Sequence, residues 1–192
     1  MALNGKTSYK ESAGDDQHRW YAFHTRARHE KRVDSRLQDR GFEVFLPLVP
    51  RERQWHDRKK IVEWPLFPSY VFARTVRESL FRALDTPGVA GVVRVAGRPV
   101  PVPDQDIENV RLFTAAIVET GQVPEPEPLV EKGQQVRVIS GPFDGVEGLV
   151  VERRGRGRAL VQVGLKAIGQ GLKVEVANTA LRVIFAKNGR ME

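Results

Sequence analysis

The sequence predicts two domains of different class, an α+β domain followed by a small closed β-barrel, and three observations carry that prediction. Gly121 to Pro128 holds Pro124, Pro126 and Pro128 in alternation, which forbids helix and reads as an extended spacer between domains. Ahead of it, strand-like aromatic runs interleave irregularly with helical periodicity, the pattern of an α+β sandwich. Behind it, the apolar residues shorten to runs of two or three, separated by turn residues. The boundaries that follow are a disordered tail over residues 1–18, a first domain over 19–120, a linker over 121–130, a barrel over 131–185 and a tail over 186–192.

In the first domain, Trp20 to Thr25 is rich in aromatic and β-favouring residues and reads as a strand. Arg28 to Arg40 reads as a helix with Val33 and Leu37 inward, closed by Gly41 just past its end. Phe42 to Val49 and Ile61 to Leu66 are strands flanking a charged connection, and Ser69 to Thr75 is another, entered through Phe67 and Pro68. A short helix over Arg77 to Leu84 stops before Pro87 and Gly88, and Val89 to Val95 is a further strand. Asp104 is expected to cap a last helix whose Ile107, Val110, Leu112 and Phe113 turn inward. In the second domain the strand runs centre on Val136 and Val138, Leu149 to Val151, Leu160 to Val163, Val174 and Val176, and Leu181 and Val183.

Composition narrows the function classes. The chain has no cysteine, so disulfides, thiolate metal sites and a cysteine nucleophile are excluded, and a reducing cytoplasm fits. No apolar run approaches the length of a membrane span, and Met1 to His18 lacks the apolar stretch of a secretory signal. The four histidines, His18, His24, His29 and His56, lack metal-ligand spacing, and no phosphate-binding glycine loop occurs. Asp104 and Asp106 read as helix-start charges. No cofactor, no metal and no catalytic residue is expected. The net charge of +7 points to an anionic partner, and between Arg26 and Lys60 eleven Lys or Arg face six Asp or Glu. Arg153, Arg154, Arg156 and Arg158 form a second basic concentration.

Two sets of residues carry a resemblance. The first is Trp20 and Tyr21, then Leu66 to Phe72, then Pro87 to Val89 followed by Val100 to Pro103. The second is Lys132, Gly133, Val136 and Val138, then Gly141 to Phe143, Gly145, Val146 and Gly148, which resembles a KOW motif. In this order, across a Pro-rich linker, they resemble the NusG family of transcription elongation factors. The resemblance implies an NGN domain, an antiparallel sheet flanked by helices, joined to an SH3- or Tudor-like KOW barrel. Within the family, Arg26 to Lys31, Phe45 to Leu48 and Trp55 to Lys60 are similar to the specialised RfaH- and UpxY-type members. Ser79 to Phe81 and Gly169 to Gly171 depart from the patterns known there.

Alternation puts Tyr70 and Phe72 on one strand face and Val71 and Ala73 on the other. The family implies that Tyr70 and Phe72, with Phe67, Pro68 and the nearby His24, grip the clamp helices of bacterial RNA polymerase; ordinary core is the other reading. Arg28, Arg32 and Arg36 recur every fourth residue and would line one helix face, with Arg26 just before. The family places this face, His29 included, beside the non-template DNA strand; a solvated face is the alternative. Trp55 among cations suits a single strand or folds back onto the sheet. Phe143 either plugs the barrel end or, as the family implies together with Ile168, contacts a small-subunit ribosomal protein or Rho.

The expected function is transcription elongation control by a non-enzyme: clamp binding that promotes antitermination, with the barrel recruiting a second factor. A housekeeping NusG supporting Rho, and a ribosome-associated KOW protein that binds RNA, are the alternatives. A cytoplasmic monomer with no membrane contact is expected. The glycines and valines of residues 134–184 favour strand over helix, so a flexibly tethered barrel that leaves Tyr70 and Phe72 uncovered is expected.

Overall fold

Strand β1 (Arg19–Thr25) is buried along nearly its whole length on both faces, as the central strand of a covered sheet must be. It leads to α1 (Glu30–Asp39), β2 (Glu43–Phe45), β3 (Leu48–Gln54), β4 (Lys59–Pro65), β5 (Tyr70–Thr75), a single turn of helix, and α2 (Leu80–Leu84). Short strands β6 (Val89–Val92), β7 (Arg94–Val95), β8 (Arg98–Pro99) and β9 (Pro101–Val102) precede the long helix α3 (Asp104–Thr120). The second part comprises β10 (Glu127–Pro128), β11 (Gln134–Val138), β12 (Glu147–Arg154), β13 (Arg158–Leu165), β14 (Gln170–Ala177) and β15 (Leu181–Val183). In this computed structural model the described residues are 17–54, 59–121, 123–124, 127–128, 133–154 and 157–184. Residues 1–16 and 185–192, half of the expected linker, Trp55, His56, Lys132 and Arg156 lie outside them.

The first sheet is antiparallel with the order β2–β5–β1–β6, and β9 adds to β1. Its register sorts the side chains. Tyr21 opposes Ala73 and Phe23 opposes Val71, and this face packs on Val33 and Leu37 of α1 and on Leu80 and Ala83 of α2. Ala22 opposes Phe72, and this face, with Trp20 beside it, packs on Ile107, Val110 and Phe113 of α3. Phe23 and Phe72 are both fully enclosed. Burying each such ring stabilises the domain by roughly 1.5–3 kcal/mol. The face expected to stay open is therefore closed by α3. That corrects the expectation of an uncovered Phe72: the apolar stripe of the last helix needed a partner, and this sheet face is it.

Two local expectations are revised. Arg28 has φ 63, so the chain turns before α1 begins at Glu30 and Arg28 is not part of its helical row. Asp104 is the first residue of α3, after Pro103, and no side chain caps the helix; the first-turn charge of Asp104 and Asp106 remains. Gly41 does close α1, with φ 83 and its N–H donating to the Gln38 carbonyl.

The second sheet is antiparallel, ordered β10–β14–β13–β12–β11–β15. Chain connectivity makes it curl. In that order β14 and β15 are four strand spacings apart, about 19 Å if the sheet were flat. Yet Ala177 ends β14 and Leu181 begins β15, a span the chain covers with at most about 14 Å. The curl gathers Val136, Val161, Val163, Leu165 and Leu172 into its interior, all essentially inaccessible. Strand β10, from the Pro-rich stretch, pairs with β14, Glu127 opposite Gly171.

The barrel rests on the first domain. Phe143 is 7% exposed, its ring centroid 5.2 Å from that of Phe113 on α3. Asn109 on α3 is buried, and its Oδ1 accepts the Glu147 N–H at 3.1 Å. One continuous apolar cluster runs from Trp20 through Phe113 to Val163. This corrects the expectation of a flexibly tethered barrel, because α3 offers Phe113 on the side that the barrel loop reaches.

Candidate functional site

At one end of the first sheet, the end of β1, the start of α1, the turn before β5 and the turn at Gly88 meet. Backbone bonds knit them: Thr25 N–H donates to Ser69 O at 2.9 Å and Arg26 N–H donates to Gly88 O at 2.9 Å. Ser69 sits at φ 64, a left-handed conformation that side chains rarely adopt. Glu30 holds it there. Its carboxylate, 6% exposed, accepts the Ser69 N–H at 2.8 Å. At Gly88 an added Cβ would lie 2.8 Å from Val33 Cγ2, so only glycine lets this turn approach α1.

The cluster presents a small aromatic edge. His24 is exposed, Tyr70 is half-buried, and their ring centroids lie 4.6 Å apart at 43°. Desolvation raises the Tyr70 hydroxyl above its usual pKa, so it stays a neutral donor and acceptor through the physiological range. Pro68, two residues before it, is exposed, as are Arg26, Arg28 and Arg32 on and just before α1. His29 is half-buried, with Nδ1 enclosed and lacking a hydrogen-bond partner. The arrangement offers no nucleophile paired with a base, and among the described residues no group of three His, Cys, Asp or Glu is placed to hold a metal ion.

Other residues singled out by sequence fall elsewhere. Phe67 (1% exposed) and Phe72 (0%) lie beneath the edge as core, their rings 6.3 Å apart and edge-to-face, so they support Tyr70 and do not form the surface. Arg36 donates to the Pro87 carbonyl at 2.7 Å and so braces the Gly88 turn. Phe143 is enclosed against Phe113, and Ile168 is half-buried on the same cluster, so neither is a free tip. Arg154 and Arg158 both pair with Glu175, a single carboxylate that offsets part of the second basic concentration. Sequence reasoning missed Glu30 and Asn109. A carboxylate opening a helix and an amide on its apolar side were the available signals, and both look ordinary until the turn and the barrel come into contact.

Comparison with known proteins adds the context. Residues 18–111 match the family model described as transcription termination factor nusG. The chain is 33% identical over 182 residues to the transcription termination/antitermination protein NusG of Deinococcus radiodurans, covering 82% of this chain and 94% of that protein. It is 30% identical over 164 residues to the protein of the same name from Thermus thermophilus, covering 75% of this chain and 89% of that one. A solved structure titled "Domain interaction in Thermotoga maritima NusG" matches at 25% identity with a TM-score of 0.47, covering 88% of this chain and 98% of that chain.

Proposed function

Since this chain belongs to the NusG family of transcription termination/antitermination factors, we propose that it binds the clamp helices of RNA polymerase through the His24–Tyr70 edge. It is a transcription factor and not an enzyme. Clamp binding promotes processive elongation by favouring the elongating conformation, which requires differential affinity and no chemistry. Arg26, Arg28 and Arg32 are exposed on and just before α1, and we assign them, with His29, the non-template DNA strand. The barrel, through Phe143 and Ile168, takes a second factor, a ribosomal protein or Rho, once it has left α3. Action in the cytoplasm fits this role; among the described residues no helix is long and apolar enough to cross a membrane. The domain limits proposed are those read from the sequence, with the linker strand β10 paired to the barrel.

The observation that carries the reading is the aromatic pair of exposed His24 and half-buried Tyr70, with the turn before Tyr70 held by the Glu30–Ser69 bond. A housekeeping role that includes support of Rho is the second reading, favoured by relatives whose names join termination with antitermination. The narrower likeness to RfaH- and UpxY-type members rests on short sequence segments alone. The test is capture of RNA polymerase by the wild-type chain and by His24→Ala with Tyr70→Ala. Hot-spot aromatics cost about 2 kcal/mol or more on truncation, so the folded double variant should lose the complex. Undiminished capture would refute the assignment, and Rho capture by the same preparations separates the two readings.

A further inference from the structure

We propose that the cleft between α3 and the barrel binds a small zwitterion of the α-amino-acid class, its ammonium group on Asp106 and its carboxylate on Lys166 and Asn109. The cleft holds about 160 Å³, room for roughly five waters or for one small organic molecule of similar bulk. Its walls come from both domains, a common setting for ligand sites. Gln105, Asp106 and Asn109 stand on the first turns of α3, and Glu147, Leu149 and Lys166 on the barrel. The Glu147 carboxylate is taken by the Arg137 guanidinium. The charges left to the cleft are therefore one carboxylate, Asp106, and one ammonium, Lys166.

Asn109 is 7% exposed, and only half of its amide is satisfied. Its Oδ1 accepts the Glu147 N–H at 3.1 Å and the Gln105 Nε2 at 3.3 Å. Only the oxygen can accept from a backbone N–H, so the amide's orientation is fixed. Nδ2 has no acceptor among the described residues and is not sealed off, which leaves its two N–H groups to the cleft. Asp106 and Lys166 line the same cleft with opposite charges, yet among the described residues no ion pair joins them. Desolvation raises the Asp106 carboxyl above its usual pKa, the mark of a carboxylate short of water and of a close cation. An ammonium and a carboxylate on one carbon supply what each wall lacks: a cation for Asp106, an anion for Lys166 and acceptor oxygens for Asn109 Nδ2. A simple anion or cation would leave one of the two charges unmatched. Leu149 adds apolar surface for a short side chain. Because such a ligand touches both walls, it binds the docked form and holds the barrel on α3 by mass action. The site needs no polymerase, so it stands or falls apart from the assignment of the His24–Tyr70 edge.

The test titrates the full chain with L-alanine and follows the Asn109 side-chain amide signals by NMR. A saturable shift is expected. Acetate and methylamine, each carrying half of the zwitterion's chemistry, should bind at least about tenfold more weakly. Asp106→Asn and Lys166→Gln should each lower the affinity for L-alanine by about tenfold or more, the effect of losing one charge-assisted hydrogen bond. Lys166→Arg keeps the charge and should retain most of the affinity. Asp106→Asn relieves a desolvated carboxylate and is expected to fold at least as well as the wild type, so its loss of binding reads the site and not the fold. No saturable shift with L-alanine, a shift that acetate or methylamine reproduces at equal concentration, or undiminished affinity in Asp106→Asn or Lys166→Gln would each overturn the proposal and leave the cleft to water only.

Discussion

The Glu30 carboxylate accepts the Ser69 N–H at 2.8 Å, and through that bond the first residue of α1 fixes the turn from which Tyr70 emerges. The bond is almost wholly buried on the Glu30 side. Ser69 meanwhile holds a backbone conformation, φ 64, that costs of order 1–3 kcal/mol and persists only where surrounding contacts impose it. Glu30→Ala is expected to lower stability by about 1–3 kcal/mol, because it leaves a buried donor unsatisfied. Polymerase capture should weaken with it as the Tyr70 ring loses its fixed position. Glu30→Gln keeps an acceptor oxygen and should recover most of both. Chemical denaturation with a parallel capture assay reads the two effects, and a Gln variant as impaired as the Ala variant would contradict this account.

Phe72 and Tyr70 share a strand face but answer different questions. Phe72 is inaccessible, packed on Phe67 at 6.3 Å and Phe45 at 6.1 Å. Its truncation to Ala should cost about 3–5 kcal/mol of stability, the range for buried aromatics. Tyr70→Ala, at the rim, should leave the melting temperature close to wild type while removing polymerase binding. Thermal melts of the two variants decide the matter. A mild Phe72→Ala would mean that α3 does not seal this face in solution.

The arginines near α1 divide in the same way. Arg28, Arg32 and Arg36 are all exposed, but Arg36 also donates to the Pro87 carbonyl at 2.7 Å. Arg28→Gln with Arg32→Gln should flatten the salt dependence of single-strand DNA binding by about 1.4, at about 0.7 per phosphate contact. Arg36→Gln should loosen the Gly88 turn, visible in hydrogen exchange there, and leave the slope nearly unchanged. Equal slope losses for Arg32 and Arg36 would restore the single continuous row that helical spacing suggested.

Periodicity made most of the architecture legible. Aromatic and β-favouring residues along Trp20 to Thr25 and Ser69 to Thr75 gave two strands, and Gly41 gave the end of α1. Clustered valines between turn residues gave the short strands of the second sheet. What stayed hidden was which surfaces face each other. The apolar stripe of α3 was visible, but nothing local says that Ile107 and Val110 close over Phe72 while Phe113 turns to Phe143. For the same reason the site was half legible. His24 and Tyr70 lie side by side, a pairing that the family resemblance implied and that spacing alone did not. Phe67 and Phe72 are drawn inward by a helix more than thirty residues away in sequence. Arg28 left the helical row because a single left-handed residue precedes α1, and no side-chain pattern records that turn.

Asp106 supplies a pH test of the joint between α3 and the barrel. Its carboxyl is raised above the usual 3.8, chiefly by desolvation, with Lys166 of the barrel opposing the shift. A carboxyl raised in the folded state binds its proton more readily there than in the unfolded chain. It therefore costs stability above the raised value, and the cost fades as pH falls through that value towards 3.8. Asp106→Asn should raise the melting temperature at neutral pH, and the gain should vanish at pH values well below 3.8. A variant less stable than wild type at neutral pH would show that the Lys166 attraction, with the helix N-terminus, outweighs the burial.

The last prediction concerns what happens when the barrel is released. Phe113 and Phe143 lie 5.2 Å apart, tilted by 40°, and Asn109 Oδ1 takes the Glu147 N–H, so one aromatic pair and one buried amide help to hold the joint. An aromatic pair contributes about 0.5–1.5 kcal/mol beyond its area. Phe143→Ala with Asn109→Ala should therefore free the barrel without unfolding it, because Val136, Val161, Val163, Leu165 and Leu172 form a core of their own. The freed barrel should remain β. At Gly148 an added Cβ would sit 2.6 Å from the Gln162 carbonyl oxygen, and at Gly171 it would meet the Gln162 side chain at 2.8 Å, so these glycines serve close strand approach. The same glycines would each cost a helix about 1 kcal/mol relative to alanine. Backbone relaxation by NMR should show the two domains of the wild type tumbling as one body and the variant's barrel tumbling faster, with strand chemical shifts kept. Helical shifts across residues 134–184 of the variant would overturn the β assignment, and independent tumbling in the wild type would overturn the joint itself.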